Sequence, residues 1–117
     1  MAAGAPEQLL FVYGSLKRGQ ANHAQLGNAV FVGLARTRPA FALRVIDGYP
    51  ALVPGQSAVL GELYRIATDD LGRLDEFEGG GYRRRTIELE AGALALAYVA
   101  VAPSDGVPFT ADEWPMP

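Results

Sequence analysis

The chain has 117 residues, half of them hydrophobic, with ten Lys and Arg against thirteen Asp and Glu and a formal net charge of -3. That length is enough for one domain (1–117) with a real core and too short for two. The negative balance argues against a nucleic-acid or anionic-membrane partner, which would demand a basic face, and the absence of cysteine excludes disulfides, thiolate metal sites and a cysteine nucleophile.

Fourteen glycines and eight prolines point to many turns and short strands rather than a helical bundle. Residues 1–7 are small and apolar without period and read as a frayed leader. They lack the basic and apolar regions of a secretion signal, and no apolar run approaches membrane-spanning length. The expectation is a soluble, cytoplasmic protein. Gln8 to Tyr13 reads as the first strand, which stops at Gly14-Ser15-Leu16-Lys17-Arg18-Gly19. A strand ending in Gly-Ser exposes several backbone N–H groups at once, and such a cluster holds an anion or an oxyanion. An ordinary turn without a ligand is the equal alternative from these residues alone. The stretch is not a phosphate-binding P-loop, because Gln20 and Ala21 stand where Lys and Ser or Thr are required.

Asn22 is placed to cap a short helix, His23 to Leu26, that Gly27 ends. His23 is the one histidine, so an imidazole-based metal site would lack a second ligand, and a surface or capping role outweighs a catalytic one. Val30 to Arg38 reads as a second strand with a bulge or close approach at Gly33. Phe41 to Ile46 is a third, closed by the turn pair Asp47-Gly48. Tyr49 to Val53 is extended, since the residue before a proline avoids the helical region.

Ser57 to Ile66 is the next strand. Thr68 to Glu78 is the clearest helix, with Thr68 as N-cap, Asp69 and Asp70 in the first turn, and Gly79-Gly80-Gly81 as its end. Tyr82 to Glu90 alternates, with Arg85, Ile87 and Leu89 on one face, which describes a half-buried strand. Leu94 to Val101 is a last, mostly apolar strand, and the tail from about Pro103 to 117 is too proline-rich to continue a sheet. The pattern predicts an α+β domain built on a small barrel or a strongly curved sheet.

One carboxylate stands on the wrong face of the helix. At about 100° per residue, Leu71, Leu74 and Glu78 share one stripe, so Glu78 faces the core while Glu76 faces water. Glu78 also lies in the last turn, where the helix dipole disfavours negative charge. Partial burial and an unfavourable dipole both raise a carboxyl pKa, and a residue that is costly locally is a candidate for function. The competing reading is that Glu78 swings into water or pairs with Arg83, Arg84 or Arg85. Those three arginines read as salt-bridged strand edge rather than a binding cluster.

Taken together, Tyr13-Gly14-Ser15-Leu16 after a first strand and Asp75-Glu76-Phe77-Glu78-Gly79 before Tyr82 resemble the gamma-glutamylcyclotransferase-like family, from Leu9 to about Val101. The stretch Lys17 to His23 is most similar to the gamma-glutamylamine cyclotransferase branch. The resemblance implies a small mixed β-barrel with short flanking helices, and cofactor-free, metal-free release of 5-oxoproline from a small gamma-glutamyl compound. It also implies that Glu78 is the catalytic acid/base and that Tyr13 to Leu16 lines the substrate pocket. Gly79-Gly80-Gly81 replaces a bulkier segment of some members, on the side of the leaving group.

The implied chemistry suits the residues. The substrate's α-amine attacks its own γ-carbonyl, so the protein needs no nucleophile of its own. It needs a carboxylate to take and return a proton and N–H groups at Gly14, Ser15 and Leu16 to hold the substrate carboxylate or the oxyanion. Tyr82 and Tyr98 are read as pocket walls, although an aromatic on a strand is more often core. The alternative is a non-catalytic metabolite-binding module on the same fold. A monomer or a homodimer is expected.

Overall fold

The computed structural model describes residues 6–115. The eight strands are β1 (Glu7–Val12), β2 (Val30–Arg36), β3 (Phe41–Ile46), β4 (Tyr49–Pro54), β5 (Leu60–Ala67), β6 (Tyr82–Glu88), β7 (Leu94–Ala100) and β8 (Val107–Phe109), and one helix, α1 (Leu71–Glu78), lies between β5 and β6. All eight strands belong to one mixed sheet, curled into a half-barrel, in the order β2-β5-β1-β7-β4-β3-β8 with β6 paired to β7. β7 pairs antiparallel with β6 along its length, while parallel registers join it to β1 (Leu10 opposite Leu96) and to β4 (Leu52 opposite Val99). A bridge between Thr37 and Leu89 ties the outer edge of β2 to the end of β6, so the sheet comes back on itself.

The local rules behind these elements are simple. Asp47 and Gly48 both have positive φ, 52° and 84°, which is the two-residue turn that matches the twist of the β3–β4 hairpin. β2 slips register between Phe31 and Gly33, the bulge expected at that glycine. Along β1 the side chains alternate between two cores. Leu10 and Val12 pack with Tyr64, Ile66, Leu71 and Leu74 beneath α1, and Phe11 and Tyr13 pack with Leu43, Leu52, Val59 and Ala97 on the other face. An eight-residue helix is too short to hold by itself. Burial of Leu71 and Leu74, at about 1.5–3 kcal/mol each, is what fixes α1 on the sheet.

Several expectations need correction. The helix does not begin at Thr68. Thr68–Asp70 is a single 3-10 turn, no side chain caps it, and the Thr68 hydroxyl is buried without a partner. Asn22 makes no capping bond to the 3-10 turn His23–Leu26. The fourth predicted strand starts at Leu60 rather than Ser57. The tail does re-enter the sheet, because β8 pairs antiparallel with β3, with Pro108 opposite Arg44. Proline is tolerated there because β8 is an edge strand, where a missing N–H costs nothing to the ladder. At the other end, the expected leader lies outside the described residues up to residue 5, whereas Glu7 already pairs with Ala67 in β1. Among the described residues, no helix is long and apolar enough to cross a membrane.

Candidate active site

The chain leaves β1 at Val12 and turns at once. Lys17 N donates to the Gly14 carbonyl (3.0 Å), Asn22 N to the Ser15 carbonyl (3.0 Å), and His23 Nδ1 to the Leu16 carbonyl (2.9 Å). Because a carbonyl only accepts, His23 carries its proton on Nδ1 and acts as a brace for the loop. Asn22 adds a second brace, donating from Nδ2 to the Ser15 hydroxyl at 3.0 Å. All three loop carbonyls are therefore engaged, while the N–H groups of Gly14, Ser15 and Leu16 make no hydrogen bond among the described residues. Consecutive free amides held in place by their own carbonyls form a receptor for negative charge.

Glu78 ends α1 next to this loop. A cavity of about 300 Å³ is lined by Tyr13, Gly14, Ser15, Leu16, Glu78, Tyr82 and Tyr98, the seven residues singled out from the sequence. Phe11, Val12, Asn22, Tyr49, Pro50 and Phe77 complete the lining. Glu78 is the one acidic or basic side chain among them, and burial pushes its carboxyl from the ordinary 4.5 up to about 7. Physically, the apolar walls remove water that would otherwise solvate the carboxylate. No cation among the described residues lies within ion-pair distance of Glu78. Of the three arginines that could have paired with it, Arg84 is held by Asp75 at 3.2 Å.

The tyrosines are walls rather than proton carriers. The Tyr13 hydroxyl is buried, donates to the Tyr98 carbonyl at 2.6 Å and accepts from Leu52 N at 3.0 Å; burial raises its pKa well above the ordinary 10. The Tyr82 hydroxyl donates to the Pro50 carbonyl at 2.9 Å and is pushed up to about 12, mainly by burial. Tyr98 donates to Asp75 Oδ1 at 2.7 Å, and burial and then that bond raise its pKa. All three hydroxyls stay protonated and committed at neutral pH, so Glu78 is the group in the cavity able to exchange a proton there. Among the described residues no group of three His, Asp or Glu side chains is placed to hold a metal.

Sequence reasoning missed Phe11 and Val12, read only as strand, and Asn22, Tyr49, Pro50 and Phe77 as members of this cavity. Asn22 carried a signal, a polar side chain seven residues from Ser15, but it pointed to a cap. Tyr49 and Pro50 carried none, because it is the β3–β4 hairpin and the pairing of β4 with β7 that bring them against the loop. Phe77 carried one hint, a large apolar residue next to Glu78 in the chain; the structure leaves it partly exposed.

Residues 10–116 match the family described as gamma-glutamyl cyclotransferase, AIG2-like. The gamma-glutamylcyclotransferase family protein YtfP of Escherichia coli (strain K12) is 38% identical over 100 residues, which cover 84% of this chain and 87% of that protein. Gamma-glutamylaminecyclotransferase A of Danio rerio is 39% identical over 93 residues, covering 69% of this chain and 58% of that protein. Among solved structures, an AIG2-like protein from Mus musculus superposes with a TM-score of 0.77 at 28% identity, covering 92% of this chain and 88% of that one.

Proposed function

The chain belongs to the gamma-glutamyl cyclotransferase, AIG2-like family, and from that premise we propose that it releases 5-oxoproline and a free amine from a gamma-glutamyl amine or amino acid. The observation that carries the proposal is the pairing of one half-buried carboxyl, Glu78, with the free amides of Gly14 to Leu16 around one cavity.

The reaction needs two charges placed and two protons moved from the α-nitrogen to the leaving amine. The substrate's α-carboxylate has no cationic partner in the lining, so the loop amides, with the Asn22 amide and Ser15 hydroxyl beside them, receive it or the oxyanion that develops on the γ-carbonyl oxygen. The α-ammonium is drawn to the one anionic side chain. Ionised Glu78 takes a proton from it, and the freed amine attacks the γ-carbonyl carbon to form the ring C–N bond. The ring nitrogen still carries two hydrogens after the attack. As the tetrahedral centre collapses and the original amide C–N bond breaks, Glu78 passes the first proton to the leaving amine. It then takes the second from the ring nitrogen and passes it on, so the amine departs as an ammonium. Atoms balance without water. A carboxyl near 7 suits both halves, because it is easily ionised and easily protonated at neutral pH. The cavity supplies the remainder by holding amine and carbonyl in contact, a proximity advantage of roughly 7–11 kcal/mol for well-oriented closures.

The test is a panel of gamma-glutamyl amines, gamma-glutamyl amino acids and glutathione, with 5-oxoproline as the readout. Ring product from at least one member is expected. Free glutamate as the main product would make the protein a hydrolase, and saturable binding without turnover across the panel would make it a binding module.

A further inference from the structure

A second and larger depression, about 650 Å³, shares no lining residue with the Glu78 cavity. The strands explain why. On β6, Tyr82 lines the first cavity and Arg84 reaches Asp75 of α1, so Arg83 and Arg85 project from the opposite face, over the residues that oppose them on β7, Val99 and Ala97. The floor of this groove is apolar, with Phe41, Val99 and Val101 open to it above the buried Leu52 and Ile87, and its rim carries Arg38, Arg83 and Arg85 against a single carboxylate, Glu88. Arg38 lies 4.0 Å from Glu88.

The rim cations are unusual in this chain. Acidic residues outnumber basic ones thirteen to ten, and the other cationic side chains are engaged, Lys17 by the Trp114 carbonyl, Arg44 by the carbonyls of 104–106, Arg73 by the Gln25 carbonyl and the rest by carboxylates. Among the described residues, Arg83 and Arg85 are the two that make neither a hydrogen bond nor an ion pair. Two free guanidiniums two residues apart on one strand face stand side by side, the spacing at which both donate to one carboxylate or phosphate. An apolar floor under a doubly cationic rim complements a molecule with one anionic head and one apolar body. Its volume falls within the ordinary range for small-molecule sites.

We propose that this groove binds an anionic amphiphile, a carboxylate or phosphate head on a medium-length acyl or alkyl chain, with the head on Arg83 and Arg85 and the chain on Phe41, Val99 and Val101. The site is separate from the one around Glu78, and its test does not depend on turnover.

The experiment is a titration of the whole protein with sodium decanoate below its micelle threshold, followed by backbone amide NMR. Saturable shifts at Phe41, Val99 and Val101 are expected, with little change at Gly14 to Leu16. Arg83→Ala with Arg85→Ala weakens binding roughly ten- to a hundredfold; should that variant not fold, Arg83→Gln with Arg85→Gln keeps the stems and carries the same expectation. Decyl phosphate binding as well as decanoate supports recognition of the shared anionic head; decanoate alone binding supports a carboxylate-specific site. The proposal is overturned if decanol binds as tightly as decanoate, if the arginine variants bind unchanged, if the shifts centre on Glu78, or if no shift saturates. Binding of an acidic peptide but not of decanoate would make the groove a protein interface and also overturn it.

Discussion

A Cβ on Gly14 would stand 2.6 Å from Cγ of Pro50. The two residues come from β4 and from the loop after β1, and their close approach sets how deep the loop sits in the wall of the Glu78 cavity. Gly14→Ala therefore forces the loop away from β4, at a cost of about 1–3 kcal/mol as for other overpacked sites, and disturbs the amides of Ser15 and Leu16. Pro50→Ala removes the clashing atom, so the double variant recovers much of the lost stability. Urea denaturation of the two singles and the double checks this; a double variant no more stable than Gly14→Ala would show that the contact is not the cause.

Glu78→Gln keeps the shape of the side chain and removes its proton chemistry. Turnover falls by about two to four orders of magnitude while the circular dichroism spectrum stays native. In the parent protein kcat/KM, which reports the empty cavity, rises with pH and levels off above about 7, where Glu78 is ionised. Near-normal turnover by a folded Glu78→Gln protein removes Glu78 from the mechanism.

The same group makes stability depend on pH in a definite direction. Its folded pKa, about 7, lies above the ordinary 4.5, so between those values the native state holds a proton that the unfolded state has released. Stability from this group therefore falls as pH rises from 4.5 to 7 and is level outside that window. The amplitude is on the order of 2–3 kcal/mol, reduced by the water that reaches the cavity. Glu78→Gln abolishes the slope, gaining on the parent above neutrality and nothing at low pH. Denaturation midpoints across that range decide it, and parallel pH curves for parent and variant would contradict burial as the cause.

Tyr13 joins β1 to two other strands through one hydroxyl, donating to the Tyr98 carbonyl and accepting from Leu52 N. Tyr13→Phe leaves that amide and that carbonyl unpaired in the core and costs about 1–3 kcal/mol. Since the hydroxyl is committed to structure, kcat at a temperature where the variant is folded changes far less than for Glu78→Gln. An equal loss in kcat would assign Tyr13 to the chemistry.

In the proposed reaction, ring closure by the substrate's own nitrogen makes the α-amine indispensable. A gamma-glutamyl substrate acetylated on that amine gives no 5-oxoproline, while still competing with the free-amine substrate to the extent that the cavity accepts the added group. Chromatography of the reaction products checks both statements, and release of the amine from the acetylated compound would mean that water, not the substrate, attacks.

The identities of β1 to β7, the Asp47-Gly48 hairpin, the Gly33 bulge and the core-facing side of Glu78 were legible in the chain, because each is decided within about ten residues by alternation, helical period or turn chemistry; β8 was not. The Gly14–Leu16 loop was legible for the same reason. The start of α1 was not, since the side chain of Thr68 has no cap to make once the chain enters by way of a 3-10 turn. Whether Glu78 would pair with an arginine was a choice among three partners, and the packing of α1 on β6 settled it by giving Arg84 to Asp75. The walls that Tyr49, Pro50 and Phe77 add to the cavity, the Thr37–Leu89 bridge and the pairing of β8 with β3 all join residues far apart in sequence. No local pattern encodes such contacts; they follow from how the whole sheet curls to bury two cores at once. The carboxylate was therefore named by the sequence, but its raised pKa belongs to the tertiary structure, because desolvation is the combined effect of walls drawn from four separate stretches of chain.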